Sequence, residues 1–164
     1  YVALEYGEKM KTPEHKARNP MGKIPVIADD DGWSLWESPA ILYYMAEQHG
    51  DGRLLPPGVR GRADALRWMF WNATHWEGSG WGVVYKGPDA EASAGYVARY
   101  SAVLDAHLAG RTWLAGDDFS IADIALACTA EMFVSAKLDL GANVAAWYQR
   151  VTSRPSWAFA SQAG

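Results

Sequence analysis

The chain has 164 residues, 49% of them apolar, with nine tryptophans, one cysteine and a formal net charge of −4. That length and apolar content suit one or two small domains with real cores. The acidic balance and the lack of any Lys/Arg run argue against a nucleic-acid partner, and no apolar stretch reaches the ~18 residues of a membrane span. A lone cysteine forms no internal disulfide. Cys128 lies in the apolar run from Ile121 and reads as a buried structural thiol. Cytoplasmic residence fits all of this.

Residues Tyr1 to Tyr6 alternate like a strand. Asn19-Pro20 and Gly22 are turn chemistry, and Ile24 to Ala28 is an apolar run suited to a buried strand. Asp29 to Gly32 ends in Asp-Gly, as a hairpin turn wants, so Trp33 to Trp36 is the return strand. Ser38 is a good helix N-cap and Pro39 suits the first helical position. Ala40 to His49 then runs as an apolar helix stopped by Gly50.

Gly50 to Gly61 is crowded with glycine and proline and reads as a linker. No strand pattern follows it. Arg62 to Trp76 is helical, with Trp68, Trp71 and His75 on one stripe and Leu66, Met69, Phe70 and Ala73 on another. Trp76 to Asp89 holds four glycines and Pro88, and reads as a long loop or a broken helix end. Ala90 to Leu108, Phe119 to Ala136 and Ala142 to Ser153 are three further helices, the last stopped ahead of Pro155. Ser120 and Asp123 have capping-box spacing, and Phe119 and Ile124 have the spacing of a hydrophobic staple. The domains are therefore 1–49, a linker over 50–61, and an all-helical 62–164.

The start of the helix at Ser38 is the chemically suggestive place. Its free N–H groups and positive dipole end favour an anion, the Ser38 hydroxyl adds a donor, and Glu37 can receive an ammonium group. An amino-acid-like end of a small peptide carries both charges.

Three clusters carry a family resemblance. The run Asn19-Pro20-Met21-Gly22-Lys23-Ile24-Pro25-Val26-Ile27, then Asp31-Gly32-Trp33-Ser34-Leu35-Trp36-Glu37-Ser38-Pro39-Ala40-Ile41, closely resembles the glutathione-binding half of cytosolic glutathione transferases. Phe119-Ser120-Ile121-Ala122-Asp123-Ile124, with Trp113 to Asp117 upstream, is similar to their capped helix start, and Trp147 to Pro155 to their W-x-x-R-x-x-x-R-P ending. The segment from Thr12-Pro13-Glu14 to Asn19-Pro20 matches their short second helix. His15, Lys16 and Arg18 make it more polar than the family's.

The resemblance implies an α/β, thioredoxin-like domain, incomplete at its N-terminal side, followed by an all-helical domain. It implies a cis Ile24-Pro25 bond that turns the Ile24 backbone toward the cysteinyl part of glutathione. Glu37 and Ser38 would hold the γ-glutamyl end. Lys23 is a candidate for the glycine carboxylate, with Lys9, Lys11 and Arg18 more simply read as solvated charge. Trp68 and Trp71 would line the site for a hydrophobic electrophile, against the plainer reading of core packing. Glutathione is the co-substrate, no metal is needed, and a homodimer is expected. The group that activates the thiol is a Tyr, Ser or Cys after the family's first strand. The resemblance puts that strand ahead of Tyr1, so no catalytic residue is named. Two other functions remain open on the same fold: a non-catalytic interaction module, and a glutathione-dependent reductase or isomerase.

Overall fold

The computed structural model describes residues 7–87 and 89–162. The strand expected over residues 1–6 lies outside the described residues. The chain divides into two compact units, 1–49 and 50–164.

The first unit runs through a 3₁₀ turn (Glu8–Lys11), α1 (Pro13–Arg18), β1 (Val26–Ala28), β2 (Ser34–Trp36) and α2 (Ser38–His49). The Thr12 hydroxyl accepts the His15 backbone N–H and Pro13 takes the first helical place, which starts α1. The hairpin turn closes where Asp29 N–H reaches the Trp33 carbonyl and Asp31 accepts the Trp33 N–H. Gly32 supplies the positive φ of 91° there. The strands pair antiparallel with Val26 opposite Trp36, Ile27 opposite Leu35 and Ala28 opposite Ser34. Residues of both strands are half-buried, apart from the exposed Ala28, so β1 is not the fully buried strand its composition suggests. The start of α2 also shifts by one residue. The Glu37 carbonyl accepts the first helical bond, from Ile41 N–H, so Glu37 holds the cap place and Ser38 begins the first turn.

The second unit contains α3 (Gly58–Trp71), a π-helical turn (Asn72–Trp76), α4 (Glu77–Val84), α5 (Ala90–Leu108), α6 (Ile121–Ser135), α7 (Ala142–Thr152) and α8 (Pro155–Gln162). α3 opens at Gly58, inside the segment read as linker. The backbone extends at Pro57 and turns helical after it. α8 was not expected: the proline that stops α7 is also suited to open the next helix. Among the described residues no helix is long and apolar enough to cross a membrane.

Of the two readings of the glycine-rich segment, a long loop or a broken helix end, the second holds: α4 follows the π-helical turn and occupies much of it. Glycine weakens a helix by about 1 kcal/mol relative to alanine. Here its missing side chain is what lets helices approach. A Cβ on Gly80 would lie 1.8 Å from the Phe133 ring, and one on Gly82 would lie 2.8 Å from Ser93 Cβ. The Ser93 hydroxyl accepts from Val83 N–H and donates to the Ser79 carbonyl, so α5 is bonded directly into α4.

The core centres on the fully buried Trp76, Phe133, Leu126, Leu104 and Trp147. Beside them lies Asp123, whose solvent exposure is 0%. Asp123 Oδ1 accepts from Leu114 N–H at 3.0 Å and Trp147 Nε1–H at 2.8 Å. Its Oδ2 accepts from the Ser120 N–H at 2.9 Å and the Ser120 hydroxyl at 3.2 Å. The capping box is complete. Burial pushes the Asp123 carboxyl above its ordinary range, and the bonds from Trp147, Ser120 and Leu114 offset only part of that rise. Phe119 packs against Trp113 at 5.2 Å between centroids, and the Arg154 guanidinium lies 3.9 Å from the Phe119 ring centre.

Cys128 is exposed, contrary to the reading of its apolar run. The buried positions of α6 include Ile121, Ala122, Leu126, Ala127, Ala130 and Phe133, and Cys128 falls on the other face of that helix. Partial desolvation of the thiol, then Glu77 and Glu131, push its pKa up, which keeps it neutral.

Urea-unfolding midpoints of four variants test these contacts. Ser120→Ala should cost about 0.5–2 kcal/mol. Asp123→Ala should cost more, above about 3 kcal/mol, because it strands several buried donors at once. Gly80→Ala should destabilise by at least about 1–3 kcal/mol through overpacking on Phe133. Gly78→Ala, on the same helix with nothing within 4 Å of its added Cβ, should stabilise by up to about 1 kcal/mol.

Candidate functional site

The hairpin register decides which residues meet. Val26 pairs with Trp36 at the last step of the ladder. One residue further, Pro25 on one side faces Glu37 on the other. Lys23, Ile24 and Pro25 therefore arrive at the same end of the hairpin as Glu37 and Ser38, and α2 starts there. All five are exposed.

The Ile24-Pro25 bond is cis, as the resemblance implied. Glu37 has φ of 74°, the left-handed region that non-glycine residues enter seldom and often at ligand sites. Among the described residues neither the Glu37 carboxylate nor the Ser38 hydroxyl has a hydrogen-bond partner. The corner thus presents a carboxylate, a hydroxyl, the N–H groups of a helix start and an exposed stretch of backbone.

Beneath this corner the turn is held from α1. His15 Nε2–H donates to the Lys23 carbonyl at 3.0 Å, and Asn19 Nδ2–H donates to the same oxygen at 2.7 Å. Asn19 Oδ1 accepts from Met21 N–H, and its carbonyl accepts from Gly22 N–H. His15 is 6% exposed and Asn19 2%. Gly22 has φ of 61°, and a Cβ there would sit 3.1 Å from the Met10 carbonyl oxygen, so the turn needs glycine. Ser34 Oγ–H donates to the Arg18 carbonyl and fastens the end of α1 to β2. The polar character of α1 is thus partly structural. Sequence reasoning noticed His15 only as a departure from an apolar pattern and missed its bond, because Lys23 lies eight residues away.

The basic candidates are less committed. Lys11 pairs with Glu8 at 2.8 Å and Arg18 with Glu14 at 3.2 Å. Both pairs are solvent-exposed, and such pairs contribute at most about 1 kcal/mol.

Trp68 and Trp71 lie in the second unit. Trp68 is 6% exposed, with its ring 4.4 Å from His107 and 5.3 Å from Trp71. Trp71 is half-buried and meets Trp76 at 5.9 Å and Tyr100 at 6.1 Å. Trp68 is a core residue, and Trp71 retains some surface. His75 is exposed and lies 5.6 Å from the Tyr100 ring.

Comparison with known proteins covers both units. A family model described as the glutathione S-transferase N-terminal domain matches residues 2–48, and one described as the C-terminal domain matches residues 63–155. Glutathione S-transferase GstB of Escherichia coli K12 is 36% identical over 158 residues, spanning 85% of this chain and 74% of that protein. Elongation factor 1-gamma of Equus caballus is 31% identical over 134 residues, 77% of this chain but 30% of that one. A sphingomonad glutathione S-transferase solved with glutathione superposes with a TM-score of 0.80 at 30% identity, covering 90% of this chain and 77% of the other. These matches make the fold a thioredoxin-like α/β unit followed by an all-helical one. With both halves matched in chain order, this protein belongs to the glutathione S-transferase family.

Proposed function

We propose that this protein is a glutathione transferase that joins the glutathione thiolate to small hydrophobic electrophiles. The observation that carries the reading is the meeting of Lys23, Ile24 and Pro25 with Glu37 and Ser38 at one end of the hairpin. Each group has a counterpart on glutathione. The Ile24 N–H and carbonyl pair with the cysteinyl backbone. The Ser38 hydroxyl and the first N–H groups of α2 take the γ-glutamyl carboxylate. Glu37 takes the ammonium, and Lys23 the glycine carboxylate. Trp71, with Trp68 behind it, offers aromatic surface to the electrophile. That glutathione is bound by the sphingomonad relative supports the assignment.

A free thiol with a pKa near 8.5 is mostly protonated at neutral pH, so the reaction needs a group that favours the thiolate. The residues assigned here bind and orient; their contribution to rate is proximity. On the same reading the working form is a cytoplasmic homodimer engaged in detoxification, with no metal.

A second reading has one observation in its favour. The match to elongation factor 1-gamma links this fold to a relative whose name is not that of a transferase. A non-catalytic module would bind glutathione or nothing, and would not turn over a model electrophile such as 1-chloro-2,4-dinitrobenzene. Conjugating turnover above the uncatalysed rate decides for the transferase.

The pocket itself is tested by Ser38→Ala. Loss of a hydrogen bond to a carboxylate, about 1.5–3 kcal/mol, should raise the glutathione KM by about ten- to a hundredfold, with melting temperature little changed. An unchanged KM would remove Ser38 from the pocket.

A further inference from the structure

We infer that His15 is a positioning residue for glutathione binding, acting through the Lys23–Ile24 peptide group. The inference rests on the glutathione pocket proposed above. His15 touches no ligand group itself: it is buried, and Ile24 is 43% exposed. The link between them is one peptide plane.

The Lys23 carbonyl and the Ile24 N–H belong to the same planar, trans unit and point in opposite directions; the cis bond follows one residue later. A carbonyl oxygen has two lone pairs. His15 Nε2 and Asn19 Nδ2 supply a donor to each, at 3.0 and 2.7 Å. Both donors come from buried side chains of α1 and its C-cap. With the carbonyl held on the buried side, the plane cannot rotate, and the Ile24 N–H is aimed away from α1. That N–H is the group the pocket needs to read a peptide ligand.

The two clamping residues differ in what else they do. Asn19 also closes the turn, through Met21 and Gly22, so its loss would disturb several residues. Among the described residues the His15 ring makes one hydrogen bond, to Lys23. It therefore isolates the clamp from the turn. The side chain that fits this place must fill buried space and deliver a donor at the Nε2 position. Phenylalanine meets the first requirement only. Glutamine carries an amide N–H to about the Nε2 position and meets the second.

The test uses the full chain, with glutathione itself as the probe in titration calorimetry, and hydrogen exchange of the Ile24 amide without ligand. His15→Phe should weaken glutathione binding about three- to tenfold, the equivalent of one net hydrogen bond. It should also speed amide exchange over residues 22–24 while leaving the second unit's exchange unchanged. His15→Gln should bind within about twofold of the native protein and keep its exchange rate. A role in packing alone would give the reverse order, with Phe tolerated and Gln not. Should His15→Phe fail to fold, His15→Asn, too short to reach Lys23, takes its place against Gln. Native affinity and exchange in the variant that lacks the donor overturn this inference and leave the pocket standing. Native protein that takes up no glutathione overturns the pocket and this inference together.

Discussion

A single buried carboxylate organises the second unit. Asp123 has no access to solvent, and an ionised or polar group in that position is tolerable only when every lone pair is engaged. Its two oxygens take donors from three places: the Leu114 backbone, Ser120 at the mouth of α6, and the indole of Trp147 on α7. The same region is tied outward. Ile121 N–H reaches the Leu54 carbonyl, and His107 Nε2–H reaches the Leu114 carbonyl. Arg150 on α7 donates to the Thr112 carbonyl. A loop with little regular structure of its own is thereby held between three helices. The arrangement is all-or-none, since removing the acceptor leaves its donors stranded together.

Close approach is the second constraint. The helices around Trp76 and Phe133 come near enough that two positions of α4 admit no Cβ without displacement. The same device recurs at α7. Gly141 has φ of 97°, and a Cβ on it would lie 2.4 Å from the Asp105 carboxylate. That carboxylate in turn accepts the Asn143 and Val144 N–H groups. A side chain from α5 does what a local cap would otherwise do for α7. Glycine here is neither a loop former nor a hinge. It is the residue that lets another element's polar or aromatic group reach the backbone.

The candidate site in the first unit depends on register rather than on packing. A two-stranded ladder with Val26 opposite Trp36 leaves the cis Ile24-Pro25 corner and the start of α2 side by side. A one-residue slip would send every strand side chain to the opposite face and would separate these two corners. The turn Asp29–Gly32 and the bond from Ser34, just after it, to Arg18 resist that slip. The exposed groups of the candidate site are thus supported by buried groups beneath them.

The sequence alone determined the helices whose signals are local. Ser120 with Asp123 three residues on, the 3.6-residue periodicity of Ala90 to Leu108, and the proline after α7 all act within one or two turns, and the structure agrees with them. The strand–turn–strand–helix order around Lys23 to Ser38 was equally legible, because turn residues and a helix start read at short range. Tertiary structure decided the rest. Whether a glycine-rich stretch is loop or helix depended on Phe133 and Ser93, more than ten residues away. Which face Cys128 occupies depended on where the rest of α6 packs. That a polar His15 is buried, and what it holds, depended on a carbonyl eight residues further on. Local propensity is a sum over neighbours in the chain; burial and hydrogen-bond satisfaction are set by neighbours in space, and at these positions the second outweighed the first.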